Sequence, residues 1–195
     1  AVIDVLRHND IEVLLPKQRP APLPAIVYGD VETAKKDLSY SIRYLARAAR
    51  DGYKIICSEP SAAMCLKQEL RHYVDSVDAS IVSANTYELM EYLRDMSRQG
   101  QLKKAECPPS ARPRLPLCGK AGNLSQNYVY HTPCHLFAMD LYGASIEVLK
   151  QIAGLDIDDL NAGCCGLAGT FGMQKKNYEL SEAIAVSLKD ALDKT

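Results

Sequence analysis

The chain of 195 residues carries 23 Lys and Arg residues against 24 Asp and Glu residues, a formal net charge of −1. This balance gives no basic surplus that would favour nucleic acid or an anionic membrane surface, and no apolar run approaches the ~18 residues that span a bilayer. Seven cysteines are an odd number and too sparse for a secreted disulfide scaffold, so a cytoplasmic, reducing setting is expected, where cysteines are buried, redox-active or metal ligands.

Apolar, β-rich runs alternate with helical patterns along the chain. Strands are predicted over residues 11–16, 53–58, 79–84, 128–132 and 155–160, and helices over 32–50, 61–72, 86–99, 143–152 and 174–193. Two helices carry apolar stripes that are expected in the core, formed by Leu38, Ile42, Leu45 and Ala49 and by Leu180, Ile184, Leu188 and Leu192. The alternation predicts an α/β fold with largely parallel sheets and helices packed on their faces.

An internal repeat organises these elements. AVIDVL (1–6) resembles ASIEVL (144–149), and AKKDLSYSI (34–42) resembles QKKNYELSEAI (174–184). The repeat predicts a first half over residues 1–102, a Pro- and Gly-rich linker over 103–127 and a second half over 128–195. Because the two copies are cut at different points of the unit, the sequence also predicts that a longer protein has a strand and loop after Thr195.

Three cysteines follow two of the predicted strands. Cys134 lies in HTPCH, just after the strand at 128–132, and Cys164 and Cys165 follow the strand at 155–160. Loops that follow parallel strands gather at one edge of the sheet, so these three thiols are expected to meet there. Adjacent cysteines are poor partners for a disulfide with each other, which favours ligation of an inorganic centre.

Glycines beside the cysteines support ligation. Gly163 and Gly166 flank the adjacent pair, and glycines let the backbone approach bulky inorganic sulfide and direct N–H groups at sulfur. His131 and His135 flank Cys134 at a short distance along the chain. Either histidine is a candidate donor to sulfur or a candidate ligand, although a histidine near a strand end is more often satisfied by local hydrogen bonds.

These motifs resemble a known family. YHTPCHL (130–136) and CCGLAGTFGMQKKNYELS (164–181) resemble the first two elements of the cysteine-rich CCG domain found in iron–sulfur subunits. The family includes the heterodisulfide reductase B subunit and the iron–sulfur subunits of anaerobic glycerol-3-phosphate dehydrogenase, glycolate oxidase and lactate-utilisation complexes. The AGTFG and KKNY stretches resemble the glycerol-3-phosphate dehydrogenase branch most closely.

The resemblance implies a site and a function. It implies that Cys134, Cys164 and Cys165 ligate an iron–sulfur cluster, of the 4Fe-4S type in a full-length protein, with Gly163, Gly166 and His135 beside it. The fourth ligand is expected in a Cys-x-x-Cys element after Thr195. The implied function is electron relay from a flavin-containing dehydrogenase of a hydroxyacid or glycerol 3-phosphate to a quinone or another carrier. The implied partners are that dehydrogenase subunit and a membrane-associated acceptor, which would place the chain in the cytoplasm or peripheral to a membrane.

The first half departs from the family pattern. Pro20-Ala21-Pro22 stands where Cys-Cys-Gly is expected, and Glu59-Pro60-Ser61-Ala62 stands where Cys-x-x-Cys is expected. The resemblance therefore implies that the first half has lost its cluster and serves as scaffold. The nearby Cys57 and Cys65 lie in apolar surroundings and are expected in the core.

Three alternatives to electron relay remain open from the sequence. The first is a cluster that acts directly on disulfides, as in heterodisulfide reductase-like relatives. The second is a cluster-free thiol enzyme that uses Cys134 with His131 or His135, which requires a Cys134 thiol of low pKa. The third is a non-enzymatic scaffold whose cysteines bind zinc or nothing.

Overall fold

The computed structural model describes residues 2–103, 128–153 and 157–195. Its α-helices are α1 (Val2–His8), α2 (Leu23–Val27), α3 (Val31–Arg50), α4 (Pro60–Met64), α5 (Leu70–Tyr73), α6 (Val77–Asn85), α7 (Leu89–Arg98), α8 (Cys134–Ala138), α9 (Ala144–Ala153), α10 (Tyr178–Ile184) and α11 (Val186–Leu192). A π-helical turn (Cys65–Glu69) joins α4 to α5, and a 3₁₀ turn (Lys175–Asn177) precedes α10. The strands are β1 (Ile55–Cys57), β2 (Thr86–Glu88), β3 (Tyr128–Tyr130) and β4 (Ile157–Asp159).

The strands form two small parallel pairs. In the first pair β1 lies beside β2, with Ile55 opposite Thr86. In the second pair β3 lies beside β4, with Tyr128 opposite Ile157. Parallel strands joined by helical crossovers confirm the predicted α/β class. We refer below to residues 2–103 as the N-terminal region and to residues 128–195 as the C-terminal region.

The main core lies under α3. Leu38, Ile42 and Leu45 of that helix are buried, as their spacing predicts, and they pack with Ile55 of β1 and Val82 of α6. Asp30 begins the helix by accepting a hydrogen bond from the Thr33 amide on its side chain. Full burial of each such aliphatic side chain contributes about 2 kcal/mol. The predicted core position of Cys65 is confirmed, because its side chain is completely buried in the same cluster.

Two predicted strands are wrong in the N-terminal region. Residues 79–84 are helical within α6, because Ser76 caps the helix by accepting from the Ala79 amide and the buried Ala79 and Val82 fall three residues apart on one face. Residues 11–16 are not a strand and pair with no other strand within the part of the chain that is described. They instead line a groove of about 710 Å³ beside β1.

The predicted helix over 174–193 is interrupted, and its apolar stripe is not core. The 3₁₀ turn, α10 and α11 replace one continuous helix. Leu180, Ile184 and Leu192 are 54%, 43% and 46% exposed. The buried face instead carries Ser181 and Ala185, because only small side chains fit where α10 packs against the glycine-rich loop that precedes it.

Packing between helices joins the two regions. α7 packs on α9, where the Arg98 guanidinium donates two hydrogen bonds of 2.8 and 2.7 Å to the Glu147 carboxylate. α4 packs on α8, where Ala63 and Leu136 are buried together. The predicted linker over 103–127 lies outside the described residues apart from Lys103, whose amide donates to the Asn9 side chain at 2.7 Å. No helix in the described ranges is long and apolar enough to cross a membrane.

Candidate metal centre

The first cysteine-bearing loop joins β3 to α8. Cys134 is the first residue of α8 and is exposed to solvent. Pro133 precedes it with extended backbone, and its carbonyl accepts from the Leu136 amide at 2.9 Å. Because Leu136 is 1% exposed and packs against Ala63 of α4, the short helix is fixed by its apolar side while Cys134 faces outward.

The second cysteine-bearing loop follows β4 and turns sharply. The Asn161 amide donates to the Asp159 carboxylate at 3.0 Å, and Asn161 has a positive φ of 43°. Gly163 and Gly166 have φ values of 67° and 79°, in the left-handed region that glycine adopts without a steric penalty. The glycines therefore allow the chain to reverse direction on either side of Cys164 and Cys165.

Direct hydrogen bonds hold the two loops together. The Leu160 amide donates to the Tyr130 carbonyl at 3.0 Å, which continues the β3–β4 pairing by one residue. Beyond that point His131 Nε2 donates to the Gly163 carbonyl at 2.8 Å. A carbonyl oxygen can only accept, so this contact fixes the proton of His131 on Nε2. His131 is thus a tie between the loops, which is the local role that is common for a histidine near a strand end.

The thiols of the two loops are neighbours. Desolvation at the loop junction raises the pKa of the Cys134 thiol, and a hydrogen bond with the Cys164 side chain and the charges of Cys164 and Cys165 raise it further. Each of the interactions with Cys164 and Cys165 places Cys134 beside the adjacent pair, as expected for loops that follow two parallel strands.

Gly166 connects the cysteine pair to α10. Its amide lies 3.4 Å from Cys164 Sγ and donates to it, which is the kind of N–H···S contact that tunes an iron–sulfur centre. Its carbonyl accepts from the Ser181 hydroxyl at 2.9 Å. A Cβ atom on Gly166 would lie 2.2 Å from the Ser181 carbonyl oxygen, so no other residue fits there without movement of the backbone.

Gly172 completes this packing, although it is not among the site residues that the sequence predicts. A Cβ atom on it would lie 2.5 Å from Ser181 Oγ and 2.6 Å from the Gly166 carbonyl oxygen. The GxxGxxG spacing of Gly166, Gly169 and Gly172 is the signal that could have identified it. Ser181 has no comparable signal, because a serine within a helical pattern is usually exposed.

His135 faces the N-terminal region. Partial burial opposes ionisation of Glu59, but hydrogen bonds from the amides of Ser61 and Ala62 and the charge of His135 hold the pKa of that carboxyl below its usual range. The same two amides make Glu59 the N-cap of α4, at 3.0 and 2.7 Å. His135 is therefore close to a carboxylate on the element that supports α8, and nothing in the described contacts assigns it to a metal.

The two N-terminal loops without cysteine ligands also lie together. Pro20, Pro22 and Ser58, with Glu59 and Ala62, line one cavity of about 220 Å³. Cys57 lines the same cavity, and its burial raises the pKa of its thiol to about 12. The geometry of paired loops is thus present in the N-terminal region as well, where Cys57 lines the cavity, whereas the C-terminal loops carry Cys134, Cys164 and Cys165.

The residues present supply part of a ligand set for an iron–sulfur cluster. Cys134, Cys164 and Cys165 bring three thiols from two tied loops. Within residues 2–103, 128–153 and 157–195, no three His, Cys, Asp or Glu side chains are grouped closely enough to hold one metal ion. A cluster binds its thiolates through different irons, so they lie further apart than the ligands of a single ion. Thiolates are the ligands that iron–sulfur clusters take, so the donor type of these three residues fits such a cluster.

Comparisons with known proteins agree with this description. Residues 128–195 match the family described as CCG, cysteine-rich domain. The chain is 27% identical over 176 residues to the C subunit of the anaerobic glycerol-3-phosphate dehydrogenase of Escherichia coli strain K12, and equally to that of strain O157:H7. These alignments cover 90% of this chain, which spans about 40% of the length of those relatives. No solved structure matches the chain.

Proposed function

Because residues 128–195 match the CCG cysteine-rich domain family, we propose that the chain is an electron-transfer subunit, or part of one, that holds an iron–sulfur cluster. The observation that carries the proposal is the placement of Cys134 against Cys164 across two loops that the His131–Gly163 hydrogen bond ties together. Cys134, Cys164 and Cys165 would hold the cluster, with a fourth ligand from elsewhere in a longer protein. Such a cluster, when bound, supplies one-electron transfer at a potential set by its surroundings.

The residues around the thiols would control those surroundings. The Gly166 amide donates to Cys164 Sγ, and donation to a ligating sulfur favours the reduced state. Gly166 and Gly172 leave no side chain between the loop and α10, so the cysteine pair is held on rigid backbone. The exposed position of Cys134 keeps one side of the site open to solvent, where a partner protein could approach within electron-transfer distance.

The dehydrogenase partner is part of the proposal. The relatives in Escherichia coli are named as subunits of anaerobic glycerol-3-phosphate dehydrogenase. By analogy, we propose a flavin-containing dehydrogenase of glycerol 3-phosphate or a hydroxyacid as the electron donor, and a quinone or another carrier as the acceptor. The partner complex would be cytoplasmic, in contact with the membrane through its acceptor subunit. We propose 4Fe-4S as the cluster type, because cubane clusters take thiolate ligands in this way.

One observation favours a second candidate function. Cys134 is exposed, which would give a disulfide substrate direct access to a cluster at this site. The test is to mix the reduced, iron-loaded protein with a disulfide or with a quinone analogue. A disulfide reductase is oxidised by the disulfide at a rate that exceeds background. An electron relay is oxidised by the quinone analogue instead.

The test is the metal content of protein made without oxygen. We expect the full-length protein, produced anaerobically, to contain iron and acid-labile sulfide and to absorb broadly near ~400 nm, as iron–sulfur clusters do. Cys134→Ser, Cys164→Ser and Cys165→Ser should each remove most of the iron and sulfide. The matched control is Cys57→Ser, which should keep both because Cys57 lies against the N-terminal core. Full-length protein with neither iron nor sulfide overturns the proposal.

A further inference from the structure

Tyr28 of the N-terminal region contacts the loop that carries the cysteine pair. This tyrosine follows α2 directly. Its hydroxyl lies 2.6 Å from Thr170 Oγ1 and also accepts from Gln174 Nε2 at 2.7 Å. The two contacts join residues that are 142 and 146 positions apart in the chain. One phenol hydroxyl therefore fastens both ends of the turn that follows the CCG stretch.

That turn is rigidly connected to the cysteine pair. The Gly172 amide donates to the Leu167 carbonyl at 2.9 Å, and the Gln174 amide donates to the Phe171 carbonyl at 3.2 Å. Gly172 also lies against the Gly166 carbonyl, with no room for a side chain between them. A displacement at Thr170 or Gln174 is thus transmitted through Gly172 to Gly166, which is bonded directly to Cys165.

The other cysteine-bearing loop also rests on the N-terminal region. Ala63 and Met64 of α4 pack against Leu136 of α8, two residues after Cys134. The elements in contact adjoin the two stretches without cysteine ligands, since α2 follows Pro20-Ala21-Pro22 and α4 begins at Pro60, within the second stretch. Each cysteine-bearing loop is thus contacted by an N-terminal element that lies beside one of the two stretches without cysteine ligands.

We propose that Tyr28 is a positioning residue that holds Cys164 and Cys165 in register with Cys134 through its hydrogen bonds to Thr170 and Gln174. The N-terminal region thereby contributes to a site whose thiols all belong to the C-terminal region. This inference depends on the proposed function only in naming the cysteines as the groups that need to be held. The restraint on the loop exists whether or not a cluster is bound.

The test compares thiol reactivity in the reduced, metal-free chain. Rates of alkylation by iodoacetamide are measured at each cysteine by peptide mass spectrometry. In Tyr28→Phe, which keeps the ring and removes the hydroxyl, we expect Cys164 and Cys165 to react about fivefold faster, because two hydrogen bonds no longer oppose local opening of the loop. The control is Tyr44→Phe, an exposed tyrosine of α3 whose ring contacts Tyr40, which should leave both rates unchanged.

A second pair of variants separates positioning from a general loss of structure. Thr170→Val removes the hydroxyl and should raise the same two rates by about twofold, since one of the two hydrogen bonds remains. Thr170→Ser restores the hydroxyl and should return the rates to those of the unchanged chain. Equal alkylation rates in Tyr28→Phe and the unchanged chain overturn the inference, as does a rise that Thr170→Ser fails to reverse. Because no cluster is involved, these results do not depend on iron binding.

Discussion

The two regions contain similarly arranged loops that have different roles. In the N-terminal region, the Arg19 amide donates to the buried Ser41 hydroxyl of α3 at 3.0 Å, beside Pro20-Ala21-Pro22. In the C-terminal region, the buried Ser181 hydroxyl of α10 donates to the Gly166 carbonyl at 2.9 Å, beside the cysteine pair. A helix serine therefore anchors each loop. Because the arrangement forms in the N-terminal region without a Cys-Cys-Gly motif in its loop, the fold and the candidate ligand set are separable.

The surroundings of the anchor differ between the regions. α3 is one helix of 20 residues that buries Leu38, Ile42 and Leu45 in the main core. α10 and α11 have seven residues each, and most of their large apolar side chains are exposed. The N-terminal loops enclose a cavity that Cys57 lines, whereas the C-terminal loops bring Cys134 to Cys164. Stability is thus concentrated in one region and candidate chemistry in the other.

The greatest loss of stability should come from adding a side chain at Gly166, where the loop packs against α10. We expect Gly166→Ala to lower the free energy of unfolding by about 4 kcal/mol, because the new methyl group clashes with the Ser181 carbonyl and the positive φ is strained. Gly169→Ala is the matched control, with a φ of 69° and no atom within 4 Å of the added Cβ, and should cost only about 1 kcal/mol. Urea denaturation measures both. Similar costs for the two variants would contradict the tight packing of the loop on α10.

The next largest loss of stability should distinguish the buried apolar stripe of α3 from the exposed apolar stripe that includes Leu180. Leu38→Ala removes a side chain that is 1% exposed, and we expect a loss of about 3 kcal/mol from the transfer and cavity terms together. Leu180→Ala, at a side chain that is 54% exposed, should change stability by less than ~0.5 kcal/mol. The midpoints of urea unfolding check this pair. A large loss for Leu180→Ala would show that the second stripe is buried in solution.

The Glu59 carboxylate should make a modest contribution to the free energy of unfolding, and this contribution should depend on pH. Glu59→Ala removes the N-cap of α4 and should cost about 1 kcal/mol near neutral pH. Because the pKa of Glu59 is lowered in the folded chain, its contribution is present above the pKa of the unfolded state and is lost as pH falls through the folded value. The difference in urea midpoint between the unchanged chain and the variant should therefore shrink towards pH ~3. A difference that is constant with pH would mean that the charge is not involved.

The sequence predicts the parts of this molecule that depend on strong local patterns. Periodic aliphatic spacing predicts α3 and its core face, and the CCG and HTPCH motifs predict neighbouring thiols. The strand at 79–84 is wrong because an apolar run of that length suits either secondary structure, and the Ser76 cap favours the helix. The exposed Leu180 stripe could not be foreseen, since periodicity identifies an apolar face but not whether another element covers it.

Two loops far apart in sequence bring their cysteines together, and cross-linking of the thiols can measure this proximity in solution. The reduced, metal-free chain is treated with dibromobimane, a short reagent that fluoresces strongly only after it has joined two thiols, and the products are mapped by mass spectrometry. We expect a cross-link between Cys134 and the Cys164–Cys165 pair, chiefly at Cys164, and its loss in Cys134→Ser. Products confined to the adjacent pair, with Cys134 singly modified, would show that the two loops do not meet.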